Sequence, residues 1–235
     1  IVKNAHSIFC VSKYVKDKFL VGFSFIPSNV YVLYNGVERN LKKFPFKKNE
    51  IIFVGRLVEE KGVRLFVEAV ENLAHKLPDW KFCIIGSSHL GINKKMSSFA
   101  KNYSKKFLAI GKQAYFTGYL SHSKVQKKMK GASIVVVPSL WEEPFGLVVA
   151  EAMSNGAAII ASFSGGIPEI ISNNGILIKE INKKKLENAI LTIASDKKSQ
   201  DKYQQLSWRN FKHTATKSSK KLDDLRVETF KYHSK

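Results

Sequence analysis

Short apolar runs alternate with longer, helically periodic stretches along most of the chain. The runs at 51–54, 81–85, 114–117, 134–137 and 158–162 are each followed by such a stretch, and 176–178 fits a sixth strand. The stretch after the first run is the clearest. Val63, Phe66, Val67, Val70 and Leu73 recur at the spacing of one buried helix face. Strands that are apolar on both sides and take turns with helices predict a parallel sheet covered on both faces. The fold class read from this pattern is α/β, a doubly wound, Rossmann-like sheet. Ahead of it, 7–11 and 30–33 read as strands around a helix at 13–19, and Asn35-Gly36 is a turn signal. Residues 39–50 are polar and Lys-rich with Pro45, as a linker would be. Past Lys184 the pattern is helical to a Lys-rich tail.

Composition narrows the function. The 235 residues allow one large domain or two small ones. No uncharged apolar stretch approaches the ~18 residues of a membrane span, and the first nine residues do not read as a signal peptide. Cys10 and Cys83 give neither a disulfide framework nor a Cys-based zinc site, and both fall on strands as core residues would. Secreted, membrane-spanning and zinc-finger classes are therefore not expected. The formal net charge is +20, and of 39 basic residues all but Arg39, Arg56, Arg64, Arg209 and Arg226 are Lys. Bidentate readers of bases and phosphates favour Arg. A solvated, Lys-rich surface accounts for the excess, and a patch facing anionic lipid or a phosphorylated substrate is the alternative. The six histidines, His6, His75, His89, His122, His213 and His233, form no metal-ligand pair and read as surface or loop residues.

Open α/β sheets bind ligands beyond the carboxyl ends of their strands, and three loops there carry candidate chemistry. The first runs from Gly55 through Arg56 to Lys61-Gly62. Its cations at the start of a helix would suit a diphosphate, or form a solvated turn in which Lys61 pairs with a Glu. The second, 138–151, feeds a helix expected to start near Phe145. Glu143 falls in the loop and Glu151 about 12 Å further along the axis at ~1.5 Å per residue, too far for a glycosidase carboxyl pair. That spacing suits two carboxylates holding different hydroxyls of one elongated ligand. Glu151 lies among Val148, Val149, Ala150, Ala152 and Met153, so it needs a partner. The third, 162–169, contains Gly165-Gly166, whose amides could approach a ligand closely or simply make a tight turn.

Together these residues resemble the retaining GT-B glycosyltransferases of family 4 (glycosyl transferases group 1). Glu143-Pro144-Phe145-Gly146-Leu147 through Glu151 is similar to that family's E-x7-E motif, preceded by Pro138-Ser139 and followed by Ala152-Met153. Gly55-Arg56-Leu57 with Lys61-Gly62 resembles its G-R-L-x-x-x-K-G element. Gly165-Gly166-Ile167-Pro168-Glu169 resembles its G-G-x-P-E turn, and Asn35-Gly36-Val37 its N-G-V stretch. The resemblance covers nearly the whole chain. It implies a nucleotide-diphosphate-sugar donor site in which Arg56 and Lys61 hold the diphosphate and Glu143 contacts the sugar. Glu151 would hold the ribose, and the backbone of Phe145, Gly146 and Leu147 would approach phosphate and sugar. Gly165 and Gly166 belong to the same site, with the base near Gly86, Thr117 and Gly118. It also implies no cofactor and no metal.

Ser87 and Ser88 depart from the family pattern after Gly86, as does Ala158, where Pro is common. The larger departure is length, because GT-B enzymes pair two such domains. The expected division is 1–48 as the end of an acceptor domain with a linker, 49–204 as the donor domain, and 205–235 as a crossing helix and basic tail. Trp208 resembles the aromatic of that closing helix. The chain is expected to be a piece of a longer protein, inactive alone, or else a stand-alone donor half. The implied activity is transfer of a sugar to a glycan or lipid-linked acceptor in cell-envelope polysaccharide or lipopolysaccharide synthesis. The implied location is the cytoplasm, with peripheral contact at the inner membrane and no specific nucleic acid. A non-catalytic nucleotide-sugar module and a polyanion-binding protein are the alternatives.

Overall fold

The computed structural model describes residues 5–24, 27–39, 41–88 and 96–233. A parallel pair, β1 (Ile8–Cys10) and β2 (Val30–Val32), brackets α1 (Lys13–Leu20). There follow β3 (Lys48–Val54), α2 (Val63–Leu73), β4 (Lys81–Ile85), α3 (Ser98–Ala109), β5 (Ala114–Gly118), α4 (His122–Gly131) and β6 (Ala132–Val137). The chain continues through α5 (Leu147–Ser154), β7 (Ala158–Ser162), α6 (Ile167–Ile171) and β8 (Ile176–Ile178). It closes with α7 (Lys183–Ala194), α8 (Lys197–Asn210) and α9 (Ala215–His233). The strands β3 to β8 form one parallel sheet in the order β5-β4-β3-β6-β7-β8. Strand order reverses between β3 and β6, the position where open sheets of this kind leave a crevice.

The apolar runs explain the two covered faces. Ile51 and Phe53 of β3, with Phe82, Ile84, Ile134 and Val136, pack under α2, α3 and α7. Their neighbours Ile52, Cys83, Ile85, Val135 and Val137 pack on the other side under α4, α5 and α6. Val63, Phe66, Val67, Val70 and Leu73 are all buried, as their spacing predicts. Cys10 and Cys83 are buried too, and burial pushes the Cys83 thiol up to about 12.

The polar segment before the sheet is not a free linker. The strand begins at Lys48, inside the expected linker, because Glu50 already pairs in register with Lys81. The buried Glu50 carboxylate also accepts the Tyr115 hydroxyl. Lys47 donates to the carbonyls of Met129, Lys130 and Asn155, closing the carboxyl ends of α4 and α5. Arg39 stacks 3.7 Å from the Trp208 ring centroid, and Phe44 meets the same indole edge-on. The chain end returns to its beginning: Val37 pairs with Thr214, and the Ser7 and Thr229 hydroxyls are 2.8 Å apart.

Candidate functional site

The loops at the switch point are stitched by backbone bonds. Gly55 N–H donates to the Ile85 carbonyl at 3.0 Å, Leu57 N–H to Ser87 at 2.9 Å, and Gly86 N–H to Gly118 at 2.9 Å. A Cβ on Gly86 would lie 1.9 Å from the Gly55 carbonyl oxygen, so only glycine fits there. Gly86 and Gly118 are thereby held beside Gly55 at the ends of three adjacent strands. The Thr117 hydroxyl turns back onto the Gly118 carbonyl at 3.0 Å. Across the crevice, Leu140 and Trp141 N–H both donate to the Glu60 carbonyl, at 2.8 and 3.1 Å, tying the β6 loop to the β3 loop.

A cleft of about 330 Å³ opens between these loops, lined among others by Gly55, Lys61, Ser139, Glu143, Gly146 and Leu147. Lys61 Nζ donates to Glu143 Oε1 at 2.5 Å, and Ser139 Oγ donates to the same oxygen at 2.9 Å. The side chains of Lys61 and Glu143 are only 22% and 14% exposed, so their attraction is weakly screened. The Glu143 Oε2 atom has no hydrogen-bond partner among the described residues. Helix α5 starts at Leu147, two residues later than expected. Phe145 is buried as a core anchor, and Gly146 then takes a left-handed turn at φ +98°. The first helical acceptor is the Gly146 carbonyl, serving Val149 and Ala150. The amides of Leu147 and Val148 follow it, ahead of the first helical donor, at the helix N-terminus, where an anion is favoured.

Glu151, one turn further along α5, faces a second cavity of about 800 Å³ lined by Arg39, His122, Gln126, Lys127 and Lys130 among others. Leu147 lines both cavities. Glu151 Oε1 lies 2.9 Å from His122 Nε2 at the start of α4. The required partner of Glu151 is thus an imidazole 29 residues upstream, a pairing that helical periodicity could not reveal. The His122 ring is also 3.2 Å from Gln126 Nε2, and Gln126 Oε1 accepts from Asn155 at 2.7 Å.

Several sequence expectations are corrected. Lys61 does pair with a Glu, but with Glu143 and not a neighbour in its own turn. Arg56 is not at the start of α2: the 3-10 turn Glu59–Lys61 intervenes, Lys61 ends that turn beside the N-cap, and Gly62 at φ +70° redirects the chain into the helix. Arg56 is exposed and makes no hydrogen bond or ion pair among the described residues. The Gly165-Gly166 pair approaches protein, not open space. Gly166 N–H donates to the Glu143 carbonyl at 2.7 Å, and a Cβ on Gly165 would lie 2.1 Å from that same oxygen. Its tight turn therefore buttresses the Glu143 backbone. His213 is not a surface histidine. Its ring is buried against Tyr34 and Phe145, with centroids 5.1 and 5.8 Å away, and burial pulls its imidazole down to about 4. His89 lies outside the described residues. Among the described residues no three His, Cys, Asp or Glu side chains are grouped to hold a metal ion, and no helix is long and apolar enough to cross a membrane.

Known proteins match this arrangement in sequence and in fold. The family model described as "Glycosyl transferases group 1" matches residues 36–207. An uncharacterized glycosyltransferase of Methanocaldococcus jannaschii is 30% identical over 196 residues, 82% of this chain and 51% of that relative. The chain spans about half the length of the curated relatives it matches first. The solved structure of Anabaena Alr3699/HepE in complex with UDP superposes with a TM-score of 0.82 at 19% identity, covering 95% of this chain and 64% of that one. Staphylococcus aureus TarM, solved with UDP as a mutant, gives a TM-score of 0.78 at 21% identity over 95% of this chain and 44% of that one. These structures share the doubly wound sheet of the GT-B fold. By its matched sequence, this chain belongs to the glycosyl transferases group 1 family.

Proposed function

We propose that this chain is the donor-binding half of a retaining glycosyltransferase, which moves a sugar from a nucleoside diphosphate to a glycan or lipid-linked acceptor. One observation carries the reading. Gly55, Lys61, Glu143 and the N-terminus of α5 converge on one cleft at the switch point, and Glu151 opens into a cavity that adjoins it at Leu147. A nucleotide sugar is an elongated ligand of a shape that two adjoining cavities suit. The solved neighbours in complex with UDP or UDP-glucose, and a Salmonella typhimurium relative named as a lipopolysaccharide 1,2-N-acetylglucosaminetransferase, support the substrate class.

In this reading the diphosphate lies against the amides of Leu147 and Val148, with Arg56 and Lys61 as its counter-charges. As the bond from the anomeric carbon to the diphosphate oxygen breaks, its electron pair passes to the leaving group. Fixed cations and helix amides stabilise that charge without reorganising, so no metal is called for. The acceptor hydroxyl forms the new bond on the same face of the sugar and passes its proton to the departing diphosphate oxygen. Arg56 has no described partner to abandon, whereas Lys61 must share its ammonium between Glu143 and the phosphate. Glu143 meets the donor sugar, Glu151 the ribose, and the strand ends at Gly86, Thr117 and Gly118 the base. Gly165 and Gly166 serve from behind, by holding the Glu143 backbone. In this reading the residues ahead of β3 belong to the end of an acceptor domain and its linker, and transfer by the whole protein needs the rest of that domain.

Calorimetric titration with UDP, GDP and their sugar conjugates tests the site. Saturable binding that weakens at least about tenfold in Arg56→Ala and in Glu151→Ala is expected, the worth of one charge-assisted hydrogen bond. Unchanged binding in both variants would refute the assignment, as would loss of wild-type binding on adding EDTA for the metal-free mechanism.

A further inference from the structure

We infer that Ser12 and Glu169 act as positioning residues, a clasp that fixes Glu143 from the N-terminal end of α1. The inference rests on the donor reading and extends it to residues outside the cleft. Ser12 is the N-cap of α1, and its Oγ accepts from Val15 N–H at 3.0 Å. The hydroxyl's single proton is spent outside the helix, on the Pro144 carbonyl at 2.6 Å. Ser12 is fully buried, so water does not compete for that bond. A cap residue ordinarily works within its own helix. This one also holds the residue that follows Glu143.

Glu169, on α6, completes the cap. Its Oε2 accepts from Lys13 N–H at 2.8 Å and its Oε1 from Tyr14 N–H at 2.7 Å, while the Tyr34 hydroxyl donates to Oε2 at 2.9 Å. Three otherwise orphaned helix donors are thus satisfied by Ser12 and Glu169. Gly166 closes the assembly. Its N–H holds the Glu143 carbonyl at 2.7 Å, and a Cβ there would fall 3.1 Å from the Ser12 side chain and 2.6 Å from the Pro144 carbonyl oxygen. The main chain at 143 and 144 is therefore pinned by one bond from the glycine turn and one from α1. Neither Ser12 nor Glu169 touches the Glu143 carboxylate. Their effect is to set where it points between Lys61, Ser139 and the ligand, so that a shift of α1 moves Glu143 with it.

The test separates sugar contact from nucleotide contact. Affinities of the full 235-residue chain are measured for UDP-glucose against UDP and for GDP-mannose against GDP. Ser12→Ala is expected to lower affinity for the sugar conjugate that wild type prefers about tenfold while shifting the parent nucleotide less than about twofold. Ser12→Thr, which keeps the hydroxyl, restores the preference. Glu169→Gln, which leaves the Ser12 bond in place, gives an intermediate loss. In both damaged variants the Gly166 amide exchanges faster with solvent than in wild type. Equal weakening of sugar conjugate and nucleotide, or an undiminished preference in Ser12→Ala, overturns the clasp and leaves the donor site standing. If wild type binds none of the four ligands, the donor reading fails and the positioning role fails with it.

Discussion

The two carboxylates, Glu143 ahead of α5 and Glu151 within it, are equally shielded from solvent but held in different ways. The Glu143 carboxylate, 14% exposed, is fixed by Lys61 and Ser139, and its backbone by Gly166 and, through Pro144, by Ser12. Glu151, 16% exposed, is held through its side chain only by His122, itself 74% exposed, among the described residues. One acid is placed by the fold before any ligand arrives. The other rests against a solvated imidazole and exchanges that partner for a ligand at little cost. Under the proposed function, the difference suits a sugar that must be oriented closely for chemistry and a ribose that needs only to be gripped.

The contrast can be broken first at the buttress. Gly165→Ala places a methyl on the Glu143 carbonyl at a φ of +55°, and should cost about 2–4 kcal/mol in urea unfolding. Acid probes the wall behind Phe145. Because the His213 imidazole is pulled down to about 4 in the fold, the unfolded chain takes up its proton first. Stability from this group is complete above about pH 6.5 and is lost as pH falls toward 4, by up to about 3 kcal/mol. His213→Phe should flatten that loss in melts between pH 7 and 4.5. A steep, unchanged profile would place the acid sensitivity elsewhere.

Double-mutant cycles compare the ion pairs directly. Alanine replacements at Lys61 and Glu143 should show a coupling of about 1–2 kcal/mol, and those at His122 and Glu151 less than about 0.5 kcal/mol. Equal couplings would erase the distinction. The smallest effect belongs to His122→Ala alone, whose stability should stay within about 0.5 kcal/mol of wild type.

Much of this was legible in the sequence, for identifiable reasons. The doubly wound sheet followed from strands that are apolar on both faces, and β4, β7 and β8 begin and end where the pattern places them. Gly55, Lys61 and Glu143 were marked by position after strands, Gly146 and Leu147 by the family resemblance, and they meet in the cleft. What pattern could not show was contact at long separation. His122 beside Glu151, Ser12 on Pro144 and Glu169 on the α1 amides join residues 29, 132 and 156 or 155 apart in sequence. The late start of α5 was hidden for another reason: Phe145 is apolar enough to extend a helix, and only its burial in the core shows that it anchors the loop instead.

The division of labour between the two acids can be measured directly. Affinities for UDP and UDP-glucose, or GDP and GDP-mannose if wild type prefers that pair, should be measured for Glu143→Ala and Glu151→Ala. Glu151→Ala should weaken nucleotide and sugar conjugate equally, whereas Glu143→Ala should weaken only the conjugate. A Glu143→Ala chain that retains the full preference for the sugar conjugate would contradict that division.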